Sequence, residues 1–305
     1  MDLHPQHARL RGISLCAGYG GLDLGLHIAE PGYGTVAYVE REAHAAATLV
    51  ARMEDASLGK APVWDDLRTF DGASWRGCVD IVLAGYPCQP FSSAGKRLGE
   101  NDPRHLWPDV ARVVDEAGPE WVFCENVEGH MSLGFAEVAG CLAGMGYSTK
   151  AGLFTAREAG AAHRRRRIFI LAHADRKRRG LLSGPDDIGA GAGDRQAGGH
   201  SRGELRPVFG DERRANLDND VAGPEGIGVA AGARERPLFA PAPHQLQTWF
   251  QLLAGEPDLQ PALFRASDGM ADWVDRSRGA GNGVCSMAAA IAWRTLKAAH
   301  ERDLG

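Results

Sequence analysis

Residues Asp80 to Gly95 read DIVLAGYPCQPFSSAG, and the fold is decided by how this stretch is divided. The apolar run Ile81-Val82-Leu83-Ala84 stops at Gly85-Tyr86-Pro87, as a buried strand does when it leaves a sheet for a loop. Cys88 follows the proline, with Gln89-Pro90-Phe91-Ser92 behind it. A cysteine after an apolar strand is ordinarily core packing. Here the flanking prolines and Ser92-Ser93 make the loop polar, so the sulfur is expected to face a cleft. In an open α/β sheet that edge is where ligands bind.

The stretch resembles the Pro-Cys-Gln catalytic loop of the DNA cytosine-5 methyltransferases. The match runs on through Phe91, Ser92, Ala94 and Gly95 to Gly99, Asp102, Arg104, Leu106 and Trp107. The resemblance implies an α/β fold: a Rossmann-like S-adenosylmethionine-dependent domain with a mixed, mostly parallel sheet and a smaller inserted target-recognition domain. It also implies that Cys88 is the nucleophile, that Pro87 lies beside the cofactor, and that Gln89, Ser92 and Arg97 contact DNA.

Upstream, Gly12 to Gly25 reads GISLCAGYGGLDLG. A short strand over Ile13–Ala17, a glycine turn and an amphipathic stretch through Leu22, Leu24, Leu26 and Ile28 open a Rossmann-type nucleotide site, where glycines let the backbone approach a ligand. The spacing is not that of a dinucleotide site, because Asp23 stands where its third glycine would be. By resemblance, Cys16, Ala17, Gly18, Gly20, Gly21 and Leu22 wrap the methionine part of S-adenosylmethionine. A second strand, Thr35–Val39, ends in Glu40, the position that takes ribose hydroxyls in this topology; a solvated strand end is the plainer alternative. Arg41–Met53 reads as helix. Pro62-Val63-Trp64 is a short third strand, and the resemblance makes Asp66, followed by Leu67, the acceptor for the adenine amine.

Downstream, Leu106–Ala117 reads as helix and Trp121–Cys124 as a strand ending in Glu125-Asn126-Val127. Glu125 is either a capping acid for the next helix or a partly buried carboxyl kept protonated by desolvation. The resemblance favours the second role. Two further strands, Tyr147–Phe154 and Arg167–Ala172, flank a loop containing Arg164, Arg165, Arg166 and Arg167. The family has Pro-Gln before its first arginine where this chain has Ala162-His163. The Arg-x-Arg pair survives as Arg165 and Arg167, with Arg165 implied as the base contact and Arg164 as a DNA contact.

From His173 to about Arg236 periodicity disappears into Gly, Ala, Asp and Arg, a length of structureless chain out of place in a compact core. The expected organisation is a catalytic domain over 1–172, a target-recognition domain over 173–278, and a segment over 279–305 that returns to the first domain. Asn282, in Gly-Asn-Gly-Val, is expected to close the cofactor pocket. A helix over Met287–Lys297 would present Ala288, Ile291, Ala292 and Leu296 to the sheet.

The net charge of −5 is not that of an overt nucleic-acid binder, but nine Arg and Lys against two acids lie between Arg157 and Arg179. That run is either a solvated face or a phosphate contact. Six scattered cysteines without CxxC spacing argue against disulfides and a structural metal. No apolar run approaches a membrane span, and MDLHPQHARLRG has no secretory core. The expected setting is therefore the cytoplasm, without a metal. The resemblance implies duplex DNA as partner, and a monomer working alongside a cognate restriction endonuclease is the expected arrangement. Two rivals stand beside this reading: the same chemistry on transfer RNA, and a catalytically silent DNA-binding relative.

Overall fold

The computed structural model describes residues 9–87, 106–161, 163–175, 245–255 and 283–304. Among them, β1 (Leu10–Leu15), β2 (Tyr33–Val39), β3 (Val63–Trp64), β4 (Ile81–Ala84), β5 (Trp121–Val127), β6 (Tyr147–Thr155) and β7 (Arg166–Ala174) form one sheet. Its order is β3-β2-β1-β4-β5-β7-β6. The first five strands pair in parallel, and β7 runs antiparallel to both β5 and β6. The expectation of a mixed, mostly parallel sheet holds. Strand order reverses between β1 and β4, so the crevice outside their C-terminal ends is the natural ligand site.

Helices cover both faces: α1 (Gly21–Ala29), α2 (Ala43–Glu54), α3 (Trp107–Ala117), α4 (His130–Leu133), α5 (Phe135–Gly144) and α7 (Ser286–Leu304); a further helix, α6, spans Leu246–Gly255. The unbroken apolar strands require this double cover, since successive residues point to opposite faces. Val82, Ala84, Val122, Cys124, Ile168 and Ile170 pack with Val110, Val114, Val138 and Leu142 of α3 and α5. Ile81, Leu83, Phe123, Phe169 and Leu171 pack on the other side with Leu22 and Leu26 of α1 and Ala289, Ala292, Trp293 and Leu296 of α7.

Several boundaries differ from the sequence reading. β1 ends at Leu15, because Cys16 turns into the left-handed region at φ 51°. The face that α1 buries is Gly21, Leu22, Asp23, Gly25 and Leu26. The expected series Leu22, Leu24, Leu26, Ile28 has the spacing of a strand rather than a helix. Asp23 is fully buried, accepting from Ser14 Oγ at 2.7 Å, Thr35 Oγ1 at 2.9 Å and Tyr33 Oη at 3.1 Å. Burial drives its pKa up despite these three donors. The residue that displaces a dinucleotide glycine is thus a polar rivet joining α1 to β1 and β2.

α7 is longer than expected and holds its largest side chain where the sequence reading saw none. Trp293 is completely buried, edge-on to Phe123 at 5.4 Å and to Trp121 at 5.6 Å. Its Nε1 donates to Glu30 Oε1 at 2.9 Å, and Lys297 pairs with the same carboxylate. Burial pushes the Glu30 pKa up, but Lys297 and Trp293 outweigh it and the net direction is down. Ile291, one of the expected core positions, is only partly buried. Trp293→Ala is expected to destabilise the protein by about 3–5 kcal/mol, the usual cost of emptying a large aromatic site. A shift of the urea unfolding midpoint at unchanged slope checks this.

Candidate active site

The C-terminal ends of β1 to β5 and the N-terminal end of β7 lie along one edge of the sheet, and nearly every described candidate residue gathers there. After Leu15 the chain turns through Cys16 (φ 51°), Gly18 (φ 56°) and Gly20 (φ 70°) into α1. Left-handed backbone is costly for a side-chain-bearing residue, so Cys16 is held there by its surroundings. Ala17 N donates to Val39 O at 3.1 Å, tying the turn to the end of β2.

Glu40 does more than sit at a strand tip. One carboxylate oxygen accepts from Gly18 N at 2.7 Å, the other from Glu42 N at 2.8 Å, and Glu40 N donates to Trp64 O at 2.9 Å. The acid therefore fastens the glycine turn to the second and third strands. Asp66 accepts from Arg68 N at 3.0 Å and caps a short 3₁₀ turn. Leu22 and Leu67 place their side chains in the core, each only 4% exposed, so any ligand contact they make is through backbone. The Leu67 carbonyl is taken by Arg112 at 2.8 Å.

The turn after β4 is fastened from several sides. Gly85 N donates to Leu15 O at 3.2 Å. Asn126 Nδ2 donates to Tyr86 O at 3.1 Å, while Asn126 Oδ1 accepts from Val127 N at 2.8 Å. Tyr86 Oη and His130 Nε2 lie 3.0 Å apart, and the Tyr86 ring packs on Trp107. Pro87 closes the described turn and is exposed. Cys88, Gln89, Ser92, Arg97 and Asn282 lie outside the described residues.

Glu125 is inside β5, not at its end. It pairs with Phe169 in the ladder, and the strand continues to Val127. The next helix, α4, has Gly129 at its N-cap and no side-chain cap, so the capping alternative falls. The carboxyl is 6% exposed. Arg167 Nε lies 3.0 Å from Oε1, yet among the described residues that oxygen receives no directed hydrogen bond. The contact is therefore an ion pair that the guanidinium approaches off-axis. Desolvation raises the Glu125 pKa to about 7, against the pull of Arg167 and Arg165.

Arg165 adopts φ 31° just before β7, and its guanidinium donates to the carbonyl of Gly283. Arg164 is exposed, and Arg166 pairs with Glu128 at 2.7 Å. Two other thiols near the sheet are pushed up by burial to about 12, Cys16 and Cys124; both stay protonated near neutrality. Among the described residues no group of three or more His, Cys, Asp or Glu could hold a metal, and no helix is long and apolar enough to cross a membrane.

The family model for C-5 cytosine-specific DNA methylases matches residues 10–186, more than half of the 305-residue chain. The chain belongs to this family. It is similar to the Type II methyltransferase M.NgoMIV of Neisseria gonorrhoeae, 34% identical over 164 residues that cover 52% of this chain and 50% of the relative. It is also similar to the Type II methyltransferase M.PspPI of a Psychrobacter strain, 40% identical over 118 residues that cover 38% of this chain and 27% of the relative. The chain thus spans half or less of the length of these two curated relatives. The solved S. pombe Dnmt2 methyltransferase aligns at 23% identity and TM-score 0.45, over 54% of this chain and 51% of that one.

Within this methylase-family site, sequence reasoning passed over Asn126, Tyr86 and His130. Asn126 was visible as the middle of Glu-Asn-Val, but its partner lies 40 residues away. Asn126→Ala should cost about 1–3 kcal/mol, because it strands the buried Tyr86 carbonyl and the partly buried Val127 amide. Thermal unfolding of the variant beside Tyr86→Phe checks it; equal stability with the wild type would show that the turn needs no such clamp.

Proposed function

We propose that the chain transfers a methyl group from S-adenosylmethionine to carbon 5 of a flipped-out cytosine in duplex DNA, through a covalent adduct between Cys88 and carbon 6. The observation that carries the reading is Glu125: a carboxyl 6% exposed and 3.0 Å from the Arg167 guanidinium, raised by burial to about 7, on the strand beside the turn that leads to Cys88.

The chemistry needs those parts. Carbon 5 of cytosine is a poor nucleophile until a thiolate adds to carbon 6. A thiol is only slightly ionised near neutrality, so the Cys88 attack gains from positive charge nearby. As the carbon–sulfur bond forms, electron density moves onto the ring toward N3. Protonated Glu125 donates there and also holds the exocyclic amine, while Arg165 holds O2. Carbon 5 becomes enamine-like and would take the methyl group as its bond to the donor sulfur breaks and the thioether leaves; loss of the carbon-5 proton to water, return of the N3 proton to Glu125 and expulsion of the Cys88 thiolate would then restore the aromatic ring. Arg167 keeps the Glu125 carboxyl oriented.

The cofactor side fits its ligand. Glu40 is a buried acid held by two backbone amides, suited to ribose hydroxyls. Among the described residues nothing lies within 4 Å of where a Gly18 side chain would begin, which leaves space over the turn for the methionine part. Asp66, Pro87 and Asn282 complete the proposed pocket. When bound, S-adenosylmethionine supplies a methyl group made electrophilic by its sulfonium.

A base within a duplex is out of reach of Cys88, and extruding it costs a few kcal/mol. Gln89, Ser92, Arg97 and Arg164 offer compensating contacts to DNA. We assign 173–278 to target recognition and 279–305 to the catalytic domain, and place the protein in the cytoplasm as a monomer. The Type II designation of its relatives supports a role beside a cognate restriction endonuclease. Methyl transfer to duplex DNA but not to total transfer RNA is the expected outcome of a direct comparison; the reverse outcome overturns the choice of substrate.

Cys88→Ser is expected to abolish methyl transfer while cofactor affinity, measured by calorimetry, stays near wild type. A duplex carrying 5-fluorocytosine should trap the wild type as a complex that survives denaturation. Turnover by the serine variant near the wild-type rate would end the covalent mechanism.

For Glu125 the sign follows from a raised pKa. The proton it donates is present at low pH and lost as pH rises through about 7, so the single-turnover rate should fall on that side. Glu125→Gln should slow the reaction by about two orders of magnitude or more and flatten that limb. A wild-type rate unchanged from about pH 6 to about pH 8 would reduce Glu125 to a structural part.

A further inference from the structure

We propose that residues 283–286 form a strap that couples the cofactor turn to Arg165, seated where Gly21 and Gly25 leave the surface of α1 bare. The naming of what each end holds rests on the function proposed above; the strap itself rests on packing.

Gly21 and Gly25 stand one turn apart on the same face of α1. A Cβ on Gly21 would lie 2.6 Å from the carbonyl oxygen of Val284 and 3.2 Å from its Cβ. One on Gly25 would lie 2.6 Å from the Ser286 carbonyl oxygen and 2.6 Å from the Ala289 Cβ. These distances are closer than side-chain-bearing residues permit, so the backbone of 284–286 and the first turn of α7 lie directly on α1. Val284 also packs on the cluster that holds Leu22 and Leu26.

From that seat the strap reaches the other half of the edge. The carbonyl of Gly283 accepts from the Arg165 guanidinium. Arg165 carries left-handed backbone, which a side-chain-bearing residue keeps only when its surroundings hold it. Ala156 N donates to the Arg164 and Arg165 carbonyls at 3.1 and 3.3 Å, fixing the backbone of the loop, while the strap holds the Arg165 side chain. A single short segment thus touches the helix that begins at the glycine turn and the arginine assigned to the cytosine. Gly21, Gly25 and Val284 are positioning residues: they act on the base through Arg165. A ligand that orders the turn would order Arg165, and by reciprocity a bound cytosine would favour the cofactor.

Hydrogen–deuterium exchange read by mass spectrometry tests the strap without methyl transfer. S-adenosylhomocysteine added to the full chain should slow exchange in the peptides over 283–290 and 163–168 together. Gly25→Ala, whose new methyl touches neither proposed ligand, should speed exchange in both by about tenfold, with the 81–84 and 121–124 strands unchanged. Val284→Gly gives the same readout by loosening the strap rather than displacing it, should the alanine variant not fold. In active protein both variants should move the falling limb of the pH–rate profile upward, because Glu125, faced by Arg167 and Arg165, feels less of the Arg165 charge once that side chain is held less firmly. Loosening of 283–290 with 163–168 unchanged, or an unmoved pH limb, overturns the strap. Failure of the wild type to bind S-adenosylhomocysteine would instead overturn the cofactor assignment, and the two variants would still decide the coupling.

Discussion

The half of the edge that carries Glu125 and Arg165 depends on one strand running against its neighbours. Because β7 is antiparallel to β5, it begins where the parallel strands end, and Val127 pairs with Arg167 in the ladder. Residues two apart on a strand share a face, so Glu125 and Arg167 become diagonal neighbours. A parallel β7 would have carried its arginines to the far edge and left Glu125 with burial alone. A carboxyl isolated in the core is driven to neutrality, and one paired head-on with arginine stays ionised. Burial raises the Glu125 carboxyl while Arg167 and Arg165 lower it, and the balance lies between these limits, at about 7.

The parallel half of the edge shows a different economy. Glu40 and Asn126 each use one side chain to join segments that secondary structure leaves unconnected. Glu40 links the glycine turn to the chain after β2, and Asn126 links the end of β5 to the turn after β4. Both are buried polar groups with satisfied partners, the condition under which such groups rigidify a site rather than weaken it. Together they define the edge before any ligand is present.

What was legible in the sequence was local. The strand–glycine–helix opening, the acid at the tip of β2, the Gly-Tyr-Pro turn and the Arg-x-Arg loop each declare themselves within a few residues. What was not legible depends on partners far along the chain. The alternation Leu22, Leu24, Leu26, Ile28 does not show which side of α1 is buried; the packing of α7 on the bare backbone at Gly21 and Gly25 does. Trp293 drew no notice in an alanine-rich helix because its acceptor, Glu30, is 263 residues away. Asp23 could be seen to break a dinucleotide pattern, but not that three hydroxyls from two strands converge on it. Glu125 was placed at a strand end because the apolar run stops at Cys124, whereas the ladder with β7 carries the strand on.

The wide interval between β7 and α7 bears on how the molecule is made. The face of the sheet formed by Phe123, Phe169 and Leu171 is complete once Ala174 has been synthesised, but the helix that covers it spans Ser286–Leu304. On the ribosome roughly a hundred residues must be added in the meantime, several seconds of elongation, during which that apolar face stays wet. The nascent chain therefore passes through a stage in which it is adhesive. Whatever fills the interval, including its many glycines and charges, has to avoid the Trp293 berth while the rightful occupant is still being translated.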